Sequence, residues 1–182
     1  MTHPQEGLEA WTEQVHAYRI PRYDELPTLE LYMDQVVAVI DDCLRIYLRD
    51  SKAQRLTPAM INNYVKLKVL PPPVKKRYNR THLCYLIIIC MLKQVLAIPE
   101  IRTLLADQLE KNDIRSVYNN FCDVQEHALA LFSPRQEIEN TSFSDRILLL
   151  AVHANVNKMI AEKMIDLQTP PDEKNDRKRE KE

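Results

Sequence analysis

Residues 56–101 read LTPAMINNYVKLKVLPPPVKKRYNRTHLCYLIIICMLKQVLAIPEI. Thr57-Pro58 is a helix start, with a side-chain acceptor at the N-cap and a ring that presets φ at the first helical position. The segment it opens, PAMINNYVKLK, is short. Pro71-Pro72-Pro73 stops anything helical that reaches Val69, because proline lacks the donor and restricts the residue before it. VKKRYNR at 74–80 is too short and polar for a core element and reads as a loop or a very small hairpin. Thr81 then caps HLCYLIIICMLKQVLA, which is apolar almost all round and belongs at the centre of a core. Ile98-Pro99-Glu100 opens the next helix. A short capped helix, a stiff link, a basic stub and a buried helix in series point to an all-α fold.

Outward from this stretch the pattern stays helical. The 182 residues contain a single glycine, which disfavours strand-rich folds with tight primed turns and glycine-lined phosphate or dinucleotide loops. Apolar residues recur at helical spacing over 28–49 (Leu31, Val36, Val37, Ile40, Leu44, Ile46, Tyr47), with Thr28 at the start. The polar turn DSKAQR follows. Further helices are expected over 99–110, 114–131 and 143–167, the last two divided by Ser133-Pro134. Residues 1–27 form a polar, proline-broken arm with a short helix near Leu8–Tyr18. The domain reading is an arm (1–27), a helix-turn-helix unit (28–101), a helical oligomerisation or sensor region (102–167) and a tail disordered by composition (168–182).

Net charge is −1, but its distribution is uneven. Residues 1–50 carry ten acidic and four basic side chains, and 100–182 carry sixteen acidic and twelve basic. Between them, 51–99 carry nine basic residues and no acidic one. Such a partition makes a polarised surface suited to a polyanion. The exposed face of the short helix would present Asn62, Asn63, Lys66 and Lys68, with Met60, Ile61, Tyr64, Val65 and Leu67 packed inward. A helix fits the major groove; asparagine amides can hydrogen-bond bases, whereas lysines neutralise phosphate. Lys75, Lys76, Arg77, Tyr78 and Arg80 supply a second contact region, held at a fixed offset by the prolines. With Thr57 these ten residues are the candidate DNA-binding set. Plainer readings stand beside this one: Tyr64 as core, the asparagines as solvated helix residues, and Lys75–Arg77 as a soluble loop.

On these residues the chain resembles the winged helix-turn-helix domain of MerR-type transcription regulators. Asn63-Tyr64-Val65-Lys66 matches the end of the recognition helix, Val69-Leu70-Pro71-Pro72 the link, and Tyr78 with Leu83 the return from wing to helix. Ala97-Ile98-Pro99-Glu100-Ile101 matches the closing motif. Lys68 stands where that family carries glycine, and 73–80 is a shortened wing. LYMDQV at 31–36 together with LTPAMINNYVK is similar to an uncharacterised family found mainly in Gram-positive bacteria. The resemblance implies an all-α fold, MerR-like with a shortened wing and a C-terminal helical bundle. It also implies double-stranded DNA as partner and transcriptional regulation as role.

Little points to chemistry. No HExxH, nucleophile elbow or phosphate loop is present, so no enzyme activity, cofactor or metal is expected, and no cofactor site is assigned. Asp123, Glu126, His127 and His153 could be drawn into a His–carboxylate metal site, but nothing in their spacing fixes one. Cys43, Cys84, Cys90 and Cys122 lack metal spacing and sit in apolar contexts, as reduced core cysteines do. The longest apolar run, 83–92, is half a membrane span, and a cytoplasmic, non-membrane protein is expected. Helix 146–165 repeats apolar residues at steps of three and four, which fits a homodimer, the natural state of a regulator reading paired half-sites. An effector or protein partner is a further expectation. The alternative function is a helical interaction protein that binds an acidic partner without DNA.

Overall fold

The computed structural model describes residues 4–46, 55–130 and 142–168. Seven α-helices lie among them: α1 (Pro4–Ala17), α2 (Met33–Leu44), α3 (Pro58–Lys66), α4 (Arg80–Leu92), α5 (Ile98–Lys111), α6 (Ile114–Ala130) and α7 (Phe143–Gln168), with a 3₁₀ turn at Tyr23–Glu25. The described residues contain no β-sheet, and the fold is all-α. The end of the expected 28–49 helix, most of the DSKAQR turn, the Ser133-Pro134 break and the C-terminal tail lie outside the described residues.

Helix α4 is the hub. Leu83, Cys84, Leu86, Ile87, Ile88, Ile89 and Cys90 are all buried, and the helix packs between α2 and α6. Each such aliphatic side chain contributes about 1.5–3 kcal/mol by leaving water. The α2 face contributes Val36, Ile40, Cys43 and Leu44, and the α6 face Val117, Tyr118 and Cys122. The buried Tyr118 hydroxyl donates to the Pro21 carbonyl at 2.7 Å, so its one polar atom is satisfied. The four cysteines are free and buried, as their apolar contexts indicated. Burial raises the pKa of Cys43, Cys90 and Cys122 to about 11 and of Cys84 to about 12, which keeps them as inert thiols.

Two helix starts differ from expectation. Helix α2 begins at Met33, not near Thr28, because Leu31 is extended and pairs with Tyr78. Leu31 N–H donates to the Tyr78 carbonyl at 2.8 Å, and Tyr78 N–H donates back at 2.9 Å. Helix α4 is capped by Asn79 rather than Thr81: Asn79 Oδ1 accepts from His82 N–H at 3.3 Å and His82 Nδ1 accepts from Asn79 N–H at 3.1 Å. This reciprocal arrangement satisfies two donors at once, which a cap at Thr81 could not do. The helix also ends at Leu92, short of Ala97.

Candidate nucleic-acid interface

Helix α3 is built as its cap predicts. Thr57 Oγ1 accepts from Met60 N–H at 3.2 Å, and Pro58 occupies the first turn. Ile61 and Tyr64 are buried, Met60 and Val65 half-buried, and burial raises the Tyr64 phenol to about 12. Tyr64 is therefore a core residue. Asn62, Asn63, Lys66 and Lys68 are exposed, as is Thr57. Leu67, expected on the packed side, is instead exposed, because it caps the helix end as the chain turns away.

That turn is closed by Lys68 in a left-handed conformation, φ 56°. Lys68 N–H reaches the Val65 carbonyl at 3.1 Å and Val69 N–H the Tyr64 carbonyl at 3.1 Å. The two bonds are those of a Schellman motif, whose left-handed position normally holds glycine. Pro71-Pro72-Pro73 follow, and His82 Nε2 lies 3.4 Å from the Pro72 carbonyl.

The basic stub is a two-residue hairpin. Val74 and Arg77 form an antiparallel bridge, with N–H to carbonyl distances of 3.2 and 2.9 Å. Its tip, Lys75-Lys76, has φ 49° and 62°. Positive φ at both central residues is the mark of a type I′ turn, where Asn-Gly is preferred. All three positive-φ residues among the described residues are lysines of this segment. Left-handed backbone costs a side-chain-bearing residue roughly 1–2 kcal/mol, so three basic groups are held where a smaller residue would be cheaper.

Through Tyr78 the hairpin extends to Leu31, giving a three-segment ribbon. The register places Tyr32 opposite Arg77. Their side chains meet: the guanidinium lies 4.3 Å from the ring centroid and donates to the Tyr32 hydroxyl at 2.7 Å. Tyr32 thus fixes the direction of Arg77.

Two members of the candidate set are committed to the fold. Tyr78 is 2% exposed and stacks edge-on against His82, so its side chain supports the hairpin from below and is not a surface contact. Arg80 donates to the Leu26 carbonyl at 2.9 and 3.1 Å and pairs with Asp24 at 3.6 Å. Its charge is spent on the 24–26 turn. By contrast, no carboxylate among the described residues pairs with Lys66, Lys68, Lys75 or Lys76.

Like Tyr32, His82 lies outside the candidate set and supports it. It is buried, its Nδ1 accepts from Asn79 and its Nε2 faces the Pro72 carbonyl. Burial lowers its pKa and so favours the neutral ring, while the hydrogen bond to the Pro72 carbonyl acts in the opposite direction. Link, hairpin base and α4 thereby meet at one side chain.

A family model described as a domain of unknown function (DUF1836) matches residues 21–121, more than half of the chain. The chain belongs to this family. The matched span holds α2 to α5, the ribbon, the hairpin and the first part of α6, whereas α1 and α7 fall outside it. No curated protein matches the chain. No solved structure matches it either.

Elsewhere, Asp123 and Glu126 both bind Arg22, at 2.9 and 2.6 Å. They are ion-pair partners, and among the described residues no group of three or more His, Cys, Asp or Glu side chains could hold a metal ion. No helix of the described residues is long and apolar enough to cross a membrane.

Proposed function

We propose that the chain is a regulator of transcription that binds double-stranded DNA, with α3 in the major groove and the Lys75-Lys76 hairpin against the phosphate backbone. The observation that carries this reading is the hairpin tip. Two lysines occupy adjacent left-handed positions, unpaired by any carboxylate among the described residues, and strain of this kind is retained where the side chain has a task. The order of the parts agrees: an extended residue at Leu31, then α2, α3, hairpin and α4. This succession supports the reading, being what the resemblance to a MerR-like winged helix-turn-helix with a shortened wing leads us to expect. Asn62 and Asn63 are assigned to bases, and Lys66, Lys68, Lys75, Lys76 and Arg77 to phosphates.

A second reading rests on exposed Leu67 and Val74, apolar groups set among these lysines. A partner protein with an acidic surface and an apolar strip would cover both. Selection from a random duplex library by the full chain separates the two. DNA binding predicts enrichment of a defined motif. Asn62→Ala with Asn63→Ala then relaxes that motif, and Lys75→Ala with Lys76→Ala weakens binding to every sequence about equally. Failure of the wild-type chain to retain any duplex at low salt overturns the proposal.

A further inference from the structure

Helix α7 presents apolar side chains on every side, yet most of it is open. Phe143, Ile147, Leu148, Leu150, Val152, Val156, Met159, Ile160, Met164 and Leu167 are each 40–70% exposed. Its one fully buried side chain is Ile165, in the C-terminal half, where α5 is its main neighbour among the described elements; Arg146, Leu149 and Ala161 are half-buried. A helix apolar all round is stable in water only when covered. Six of the ten, Leu148, Val152, Val156, Met159, Ile160 and Leu167, share the side of α7 that faces away from Ile165, and their exposed apolar area is on the order of 500 Å², the scale of the smaller interfaces between proteins.

At about 100° per residue, Asp145, Leu148, Val152, Val156, Met159 and Lys163 fall on the side of α7 that faces away from Ala161 and Ile165. This outer stripe begins with an acid and ends with a base. Turned end for end about the level of residue 154, it matches itself. Asp145 comes level with Lys163, Val152 with Val156, and Leu148 to within one residue of Met159. A parallel pairing would set Asp145 against Asp145 and Lys163 against Lys163. We infer that a second copy of this chain covers α7, with the two helices antiparallel about a twofold axis near residue 154 and Asp145 against the partner's Lys163. The interface is isologous, as twofold contacts are, and the antiparallel arrangement opposes the two helix dipoles. It covers the outer stripe, whereas Phe143, Ile147 and Leu150 lie in phase with Ala161 and Ile165 on the opposite side of α7. This interface stands independently of what the chain binds.

Light scattering of the full chain across a concentration series tests it. The expected mass is twice the 21.4 kDa of one chain. Val152→Glu puts a charge on a residue that is exposed in the single chain, so circular dichroism should show the helices retained. The dimer dissociation constant should rise at least tenfold, a loss of about 1.4 kcal/mol or more. Register is tested by oxidising a mixture of Val152→Cys and Val156→Cys chains, the four native thiols being buried. The mixture should crosslink better than either variant alone. A wild-type mass of one chain throughout, an unchanged dimer in Val152→Glu, or Val152→Cys linking to itself better than to Val156→Cys each overturns the inference.

Discussion

Replacing Lys75-Lys76 by Asn-Gly separates the two demands made on the hairpin tip. Both lysines have positive φ, 49° and 62°, in a turn whose preferred pair is Asn-Gly. Relief of left-handed strain is worth roughly 1–2 kcal/mol per position at most. Asparagine recovers part of it. Glycine recovers it all but adds about 0.5–1 kcal/mol of chain entropy to the unfolded state. The net gain for Lys75→Asn with Lys76→Gly is about 1–2 kcal/mol, which for a chain of this size raises Tm by roughly 2–8 °C. The same change removes two cations from the proposed phosphate surface, so the slope of log K against log salt should become shallower by about 1.8. Calorimetry and fluorescence anisotropy read the two effects separately. A Tm that falls or stays fixed refutes the strain argument. A more stable variant with an unchanged salt slope refutes the assignment of Lys75 and Lys76 to phosphate.

Three further outcomes follow from single side chains. Tyr32→Ala removes the ring under Arg77 and should weaken DNA binding by about 0.5–2 kcal/mol, with Tyr32→Phe losing less because the ring stays; equal losses in anisotropy would contradict the stacking role. His82 is buried with a lowered pKa, so the unfolded chain takes up its proton first as pH falls. Stability should be level above about pH 6.5 and decline from there toward the lower folded value, and His82→Gln, which can still accept from Asn79, should flatten that decline in a Tm-versus-pH series. Ile87→Ala, at a fully buried site of α4, should cost roughly 2–5 kcal/mol in denaturant unfolding, whereas Asn62→Ala on the exposed face should leave the midpoint unchanged.

What could be read from the chain divides by distance along it. The Thr57 cap, the burial of 83–90 and the starts of α5, α6 and α7 all rest on residues within a turn or two, where periodicity and capping chemistry act. The Leu31–Tyr78 pair spans nearly fifty residues, and nothing near Leu31 marks it as extended. Leu31 fits a helical apolar pattern equally well, which is why α2 was expected to begin early. Asn79 and Thr81 are both good caps; only the three-residue offset to His82 favours Asn79, and histidine is not the usual partner in that role. The left-handed positions carry no glycine to announce them, so the hairpin was readable as a loop with equal ease. Within the candidate site, exposure of Asn62, Asn63, Lys66, Lys75 and Lys76 followed from helix phase and polarity. The diversion of Arg80 to Leu26 and of Tyr78 to the core depended on a turn at 24–26 and a ribbon that only the folded chain assembles.

The central claim is that 57–77 forms a polyanion-binding surface directed at duplex DNA, and a salt titration of full-chain binding to the duplex recovered by selection tests it most directly. Five basic groups on this surface predict that log K falls linearly with log salt with a slope of about −4.5 per chain. An acidic peptide of equal charge should bind far more weakly. Absence of duplex binding at low salt, or binding whose strength ignores salt, would contradict the account.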